Sequence, residues 1–195
     1  MLRVLTVFSL LLATIFSASA LAADVKVRVE GRTQTIYGSA QPSLQADNAL
    51  QALDVASTAG EFHYALTTSS FGDYVSQIGK YAAAETTGWV FKVNGVSPPV
   101  GADKVVLENG DVVLWYYATF GAAGGPPTLE LRRLPRDCYL VQSVNDAGKR
   151  TGAARATLHV GAKRFPTRNG RACIGRHSGL VRATAPGAVR SNSVQ

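Results

Sequence analysis

GWVFKVNG at residues 88–95 and GDVVLWYYATF at residues 110–120 decide how this chain folds. In the first stretch Trp89, Phe91 and Val93 alternate with Val90 and Lys92, which is the two-residue period of a strand. Asn94 and Gly95 both tolerate positive φ and close that strand in a turn. In the second, Val112, Leu114 and Tyr116 alternate with Val113, Trp115 and Tyr117. Both faces of this strand are therefore apolar, whereas a solvated sheet face should be polar. Either the second half of the chain or a ligand must cover the extra face. Trp89, Phe91, Trp115 and Tyr117 fall at alternating positions and should share faces on paired strands. The plain reading makes them a core packed on a helix, and the sharper reading makes them a ligand platform.

Earlier in the chain, DVKVRVE (24–30) alternates strictly and Gly31-Arg32 turns it into TQTIY (33–37), a hairpin. Ala46, Ala49, Leu50 and Leu53 recur at helical spacing, with Asp47 expected as N-cap and Gly60 as a left-handed stop. FHYAL (62–66) and FGDYVSQIG (71–79) resume strands. A hairpin, one helix and further strands predict an α+β, β-grasp domain over residues 23–120.

These stretches, FGDYVSQIG and GWVFKVNGVSPPVGADKVVLENGDVVLWYY (88–117) with the hairpin and helix before them, resemble the transcobalamin-like C-terminal domain, a family of unknown function in exported bacterial proteins. The most diagnostic part is Gly-Trp-x-Phe/Tyr-x-Val-Asn-Gly followed by Gly-Asp-x-Val-x-Trp, here Gly88 to Gly95 and Gly110 to Trp115. The resemblance implies a β-grasp domain like the smaller, capping domain of animal cobalamin carriers. It implies a corrinoid or another small ligand. Tyr74, Trp89, Trp115, Tyr116 and Tyr117 are the expected contact residues. Those carriers also have a large helical barrel, for which this chain has no room, so a partner would supply the rest of the site.

The chain has 195 residues, 46% hydrophobic and 17% charged, with a formal charge of +7. That composition excludes a disordered chain, which needs low hydrophobicity and high net charge. Met1-Leu2-Arg3 followed by the uncharged VLTVFSLLLATIF (4–16) and small residues reads as a signal peptide over residues 1–22, cut after Ala22. The mature protein is then expected to be secreted, extracellular or held at the cell envelope. The remaining charge is uneven. Residues 23–120 carry six basic and ten acidic groups, and residues 121–195 carry thirteen basic and three acidic ones. The boundary falls at the Gly/Pro-rich run 121–127, a flexible linker by composition.

Residues 128–195 read as a small all-β sandwich, with strands expected at 128–133, 138–144, 154–161, 171–175, 179–185 and 188–194 and turn residues between them. The run from Tyr139 to Ser191 resembles carboxypeptidase-regulatory-like and related immunoglobulin-like modules, so the chain as a whole is mainly β with an α+β first half. Cys138 and Cys173, the two cysteines, are expected to form a disulfide in an oxidising compartment. A metal set of Cys138, His159, Cys173 and His177 lacks ligand-pair spacing. Ala172-Cys173 through His177 departs from the L,D-transpeptidase nucleophile pattern, having Gly170-Arg171-Ala172 where that pattern has Ser-His-Gly. No catalytic residue and no cofactor are assigned. Eleven of the thirteen cations in the second half are Arg, suited to two-point contacts with phosphate or carboxylate. Arg132, Arg133 and Arg136 are the expected contacts to an anionic partner.

Two functions follow. One is a secreted, non-enzymatic binding protein for a corrinoid or other small ligand, acting with a partner. The other is an envelope or adhesion-type module touching anionic polymers or proteins through its basic half. Specific nucleic-acid recognition is not expected, because only Tyr139 and Phe165 could stack bases there.

Overall fold

The computed structural model describes residues 22–69, 72–122, 124–153 and 155–195. The expected signal peptide lies outside them except for Ala22. Among the described residues no helix is long and apolar enough to cross a membrane.

The first half is one five-stranded sheet with a helix on its face and a second, smaller sheet beside it. Its elements are β1 (Ala23–Glu30), β2 (Thr35–Tyr37), β3 (Ser43–Ala46), α1 (Ala49–Ala59), β4 (Tyr64–Ser69), β5 (Gly72–Ile78), β6 (Tyr81–Ala82), β7 (Thr87–Val93) and β8 (Val112–Thr119). β1 and β8 run parallel in the middle, with Val27 opposite Val113 and Val29 opposite Trp115. β2 and β3 pair with the two ends of β1, and β7 is the edge strand beyond β8. A central parallel pair of first and last strands carrying one helix is the layout the β-grasp expectation requires. β4, β5 and β6 form the separate antiparallel sheet.

Val25, Val27 and Val29 alternate onto one face and are fully buried against Ala49, Ala52, Leu53 and Ala56 of α1. Three alanines on that helical stripe let the backbone approach the sheet closely. Asn48, not Asp47, is the N-cap, its side chain accepting from the Gln51 N–H at 2.9 Å. Gln51 in turn accepts from the Asp47 N–H, and the Ala49 N–H of the first turn donates to Val105 O. Gly60 has φ −103° and is not left-handed; Glu61, at φ 51°, takes the left-handed place one residue later.

The second half folds as two facing sheets built from β9 (Thr128–Leu134), β10 (Cys138–Val144), β11 (Arg150–Gly152), β12 (Thr157–Val160), β13 (Lys163–Pro166), β14 (Arg171–Cys173) and β15 (Val181–Thr184). β9, β11 and β14 surround β10, and β13 and β15 flank β12. Leu129, Leu131, Tyr139 and Val141 of the first sheet meet Leu158, Val160, Val181 and Ala183 of the second in one core. Residues 188–194 are not the strand expected of them. Only isolated bridges form, Thr128 with Val189 and Val181 with Val194. Side chains replace the ladder: Asn192 takes both the N–H and the C=O of Leu131, and Ser191 Oγ accepts from the Ala183 N–H. The segment thus ties the two sheets together instead of extending either.

Cys138 and Cys173 face each other in register on β10 and β14 and are joined. Closing a loop of this length restricts the unfolded chain by about 3–4 kcal/mol. Replacing both with Ser should lower the unfolding free energy by about that amount, read from urea denaturation, and an unchanged midpoint would show that the cross-link adds nothing.

The two halves are packed together. Gly121 and Gly124 exchange backbone hydrogen bonds, so the Gly/Pro run makes a tight turn. Beyond it, Leu114, Tyr116 and Ala118 on the outer face of β8 cluster with Val90 and Val189. The second half therefore covers part of the face that the sequence left without a partner. Two buried polar groups cross this interface. The Lys92 ammonium donates to Val144 O (3.2 Å) and Asn145 O (3.0 Å) and pairs with Asp146 (3.2 Å). Glu30 accepts from Arg28 at 3.0 Å and from Arg190 at 2.8 Å.

Candidate functional site

β7 is an edge strand, and the small sheet stands beside that edge with β5. A cleft of about 320 Å³ wraps the edge. α1 contributes Leu50, β7 contributes Trp89, Val90 and Phe91, and β8 contributes Trp115 and Tyr116. Tyr74 of β5 and Phe120 stand at its rim, 49% and 42% exposed. Asp73, Asp103 and Asp146 also line it, with no lysine, arginine or histidine among its lining residues. Asp103 is held below the usual carboxylate range, chiefly by its hydrogen bond to Lys104. Asp146 is tied to Lys92 and accepts from Ser97 Oγ at 3.2 Å. An apolar, aromatic floor with acidic groups at its margin suits a flat neutral or cationic molecule.

Of the five expected ligand contacts, the cleft gathers Tyr74, Trp89, Trp115 and Tyr116. Tyr117 is elsewhere: it opens on a separate hollow with Arg32 and Arg190, and its hydroxyl donates to Ala82 O. The four aromatics weighed as core or platform are chiefly core. Phe91 stacks on Trp115 with centroids 5.0 Å apart, and Trp89 meets Tyr117 edge-on at 5.4 Å. The Trp115 indole donates to Ala49 O and is 2% exposed. Truncating it would open the core, so Tyr74, on the rim, is the better residue for probing binding. Sequence reasoning missed Phe120, Ser97 and Asp146, which reach the cleft because the end of β8, the loop after β7 and the turn after β10 converge there. Exposed aromatics at a strand end were the one available signal, and Phe120 had it.

Tyr116 joins this cleft to the interface. Burial, with Asp146 nearby, pushes its phenol up from 10.0 to about 12, against a smaller opposite pull from Ser97. Between these values the unfolded chain releases this proton and the folded chain keeps it, so stability falls as pH rises through the window. The loss should total about 2–3 kcal/mol by the upper end. Tyr116→Phe should flatten that alkaline limb in denaturant titrations from pH 9 upward, and a wild-type slope in the variant would refute the assignment. Lys92 acts over a lower range. Burial lowers its ammonium below 10.5, so its contribution grows as pH rises towards that value, opposite in sign to that of the tyrosine.

The other expected sites resolve differently. Arg132 and Arg133 are neighbours on β9 and project to opposite faces, so they do not form one surface. Arg133 pairs with Asp137 and donates to Gln195 O. Arg136 sits in the β9–β10 turn at φ 63°. Cys138 and Cys173 are joined, so neither offers a thiolate to a metal or a substrate. His177 Nε2 meets the Tyr139 hydroxyl at 2.7 Å, and His159 Nε2 meets Thr184 Oγ1 at 2.8 Å.

One basic row was not foreseen. On the outer face of the β13-β12-β15 sheet, Arg164, His159 and Arg182 stand directly across from one another. Neither arginine has an acidic partner among the described residues. Like charges in register on adjacent strands are destabilising. Burial lowers the His159 pKa, and Arg182 and Arg164 push it the same way.

The fold and the cleft together define a mainly β, α+β protein with an aromatic cleft at a free sheet edge. Residues 45–119 match the family described as a domain of unknown function, DUF4430. The match runs from β3 through β8 and takes in α1 and most of the cleft. It leaves out β1, β2 and the whole basic half. No curated protein matches the chain.

Proposed function

We propose that this is a secreted, non-enzymatic binding protein that seats a small, flat ligand in the cleft at the β7 edge, with a partner covering the open side. The observation that carries this reading is the convergence of Trp89, Phe91 and Tyr116 on one cleft with Tyr74 and Phe120 half exposed at its mouth. Large aromatics left in solvent around an apolar hollow lose hydration cost when a ligand fills it. The transcobalamin-like reading makes a corrinoid the first candidate. At about 320 Å³ the cleft is at the small end of ligand sites and would take one edge of such a ring. The partner would hold the remainder.

Absorbance and calorimetric titrations with cobalamin, and with smaller flat aromatics, test the proposal. Tyr74→Ala should weaken binding about tenfold, equivalent to about 1.4 kcal/mol, while leaving the urea midpoint in place. No heat with cobalamin at high micromolar concentration would remove the corrinoid. Binding that is indifferent to Tyr74→Ala would remove the cleft.

A second reading, contact with an anionic envelope polymer, is favoured by the unpaired Arg164–His159–Arg182 row. Retention on anionic cell-wall material should then be salt-sensitive and lost in the Arg164→Gln, Arg182→Gln double variant. Retention unchanged in that variant would count against it.

A further inference from the structure

Arg28, on the central strand β1, is nearly buried at 5% side-chain exposure. Its hydrogen bonds all leave from one nitrogen: Nη1 donates to Glu30 Oε1 at 3.0 Å and to Arg190 O at 2.7 Å. Nε is buried and has no hydrogen-bond partner among the described residues. A buried donor without an acceptor is destabilising, and a charged one more so. The edge formed by Nε and Nη2 is the edge that takes a carboxylate in two parallel hydrogen bonds.

Arg28 lines a cleft of about 250 Å³ between the two halves, remote in character from the aromatic one. Gln41, Lys92, Asn94, Arg150 and Asn192 line it too. Lys92 pairs with Asp146 and Arg150 with Glu130, whereas Arg28 must share the one carboxylate of Glu30 with Arg190, so these groups hold one cation more than carboxylates. Gln41 holds a left-handed backbone at φ 50°, unusual for a residue with a side chain, and its amide makes no hydrogen bond among the described residues. Local strain and an idle amide both sit on the rim of a cleft whose buried cation lacks an acceptor.

We propose that this cleft is a binding site for a small carboxylate, gripped by the Nε–Nη2 edge of Arg28 and contacted by the Gln41 amide. The volume admits a mono- or dicarboxylic acid of a few carbons and excludes a polymer. Because the cleft shares only the interface with the aromatic site, occupancy of one does not depend on the other being a binding site.

The test is an arginine side-chain Nε–Hε correlation spectrum of the ¹⁵N-labelled protein, titrated with sodium acetate and sodium succinate. Sodium chloride at matched ionic strength is the control, and inorganic phosphate is a competing probe. The expected result is a saturable shift of the Arg28 signal with a Kd of about 1 mM for the better carboxylate. Gln41→Glu puts a like charge at the mouth without removing any hydrogen bond of the fold, and should weaken that Kd about tenfold. Arg28→Lys identifies the signal by its loss; should that variant fail to fold, through-bond correlation from the backbone identifies it in the wild type. Absence of a saturable shift, an equal shift with chloride, or an unchanged Kd in Gln41→Glu overturns the proposal. Saturation by phosphate alone overturns the carboxylate assignment.

Discussion

Glu30→Ala should lower the unfolding free energy by about 3–5 kcal/mol. The Glu30 carboxylate is 1% exposed and is shared by Arg28, at 5%, and Arg190, at 13%. Removing it leaves two guanidinium groups facing each other with no counter-charge, and Thr35 loses its acceptor as well. Coulomb repulsion in a partly desolvated site is far stronger than in water, so the two cations cannot simply stay in place. Arg190 is anchored by Gly31 O and Arg32 O in the first half, so its departure also loosens the tie between residues 188–194 and that half. Both tryptophans lie in the first half. Trp fluorescence and far-ultraviolet circular dichroism should therefore give coincident urea transitions for the wild type and separated ones for Glu30→Ala. Coincident, unshifted transitions in the variant would show that the carboxylate does not hold the halves together.

Lys92→Ala should cost a similar amount, about 3–5 kcal/mol, for a different reason. Its partner Asp146 is 57% exposed and can return to water, so the charge pair itself contributes little. What the substitution strands are the carbonyls of Val144 and Asn145, which lose a charged donor at the end of β10. It also empties the space of a fully buried four-carbon stem beside the Tyr116 ring. Lys92→Met refills that space without the donor and should recover more than half of the loss, which separates packing from hydrogen bonding. Equal losses for Ala and Met in urea titrations would assign the effect to the ammonium alone.

Much of the first half was legible because its strands obey a period of two. Val25, Val27 and Val29 alternate without interruption, and both apolar faces of residues 112–117 announced a covered sheet. The helix was placed within a residue, since Asp47 and Asn48 are equally good caps and only the geometry of Gln51 separates them. The short strands β3, β6, β11 and β13 were not foreseen. Lys163–Pro166, for example, is polar and half proline-limited, and it pairs only because β12 offers a free edge. Residues 188–194 failed in the opposite sense: AVRSNSV alternates well enough to predict a strand, but Asn192 and Ser191 spend their side chains on backbone groups that a strand would have left to its neighbours.

The candidate site was legible to the extent that it is built from the diagnostic strands themselves. Trp89, Trp115 and Tyr116 came from the motif, but nothing in the spacing told which would be sealed in the core and which would meet a cleft. The split of charge between the halves was visible, yet its arrangement was not. Alternation turns the consecutive Arg132 and Arg133 away from each other, whereas register brings Arg164, His159 and Arg182, scattered over twenty-four positions, into one row. Charge clustering in space is set by strand pairing, and pairing partners are the part of a β fold that local sequence states least.

Ligand binding in the cleft at the β7 edge can be read from the two indole N–H signals. Each is tied to a fixed acceptor, Trp89 to Tyr81 O and Trp115 to Ala49 O, so each reports its own wall of the cleft. In a titration of the ¹⁵N-labelled protein with cobalamin and with a library of flat aromatic compounds, a ligand of the site should move these signals saturably at micromolar concentrations, and Tyr74→Ala should shift the curve about tenfold to higher concentration. Indole signals that stay fixed throughout, or that move identically in Tyr74→Ala, would contradict the claim.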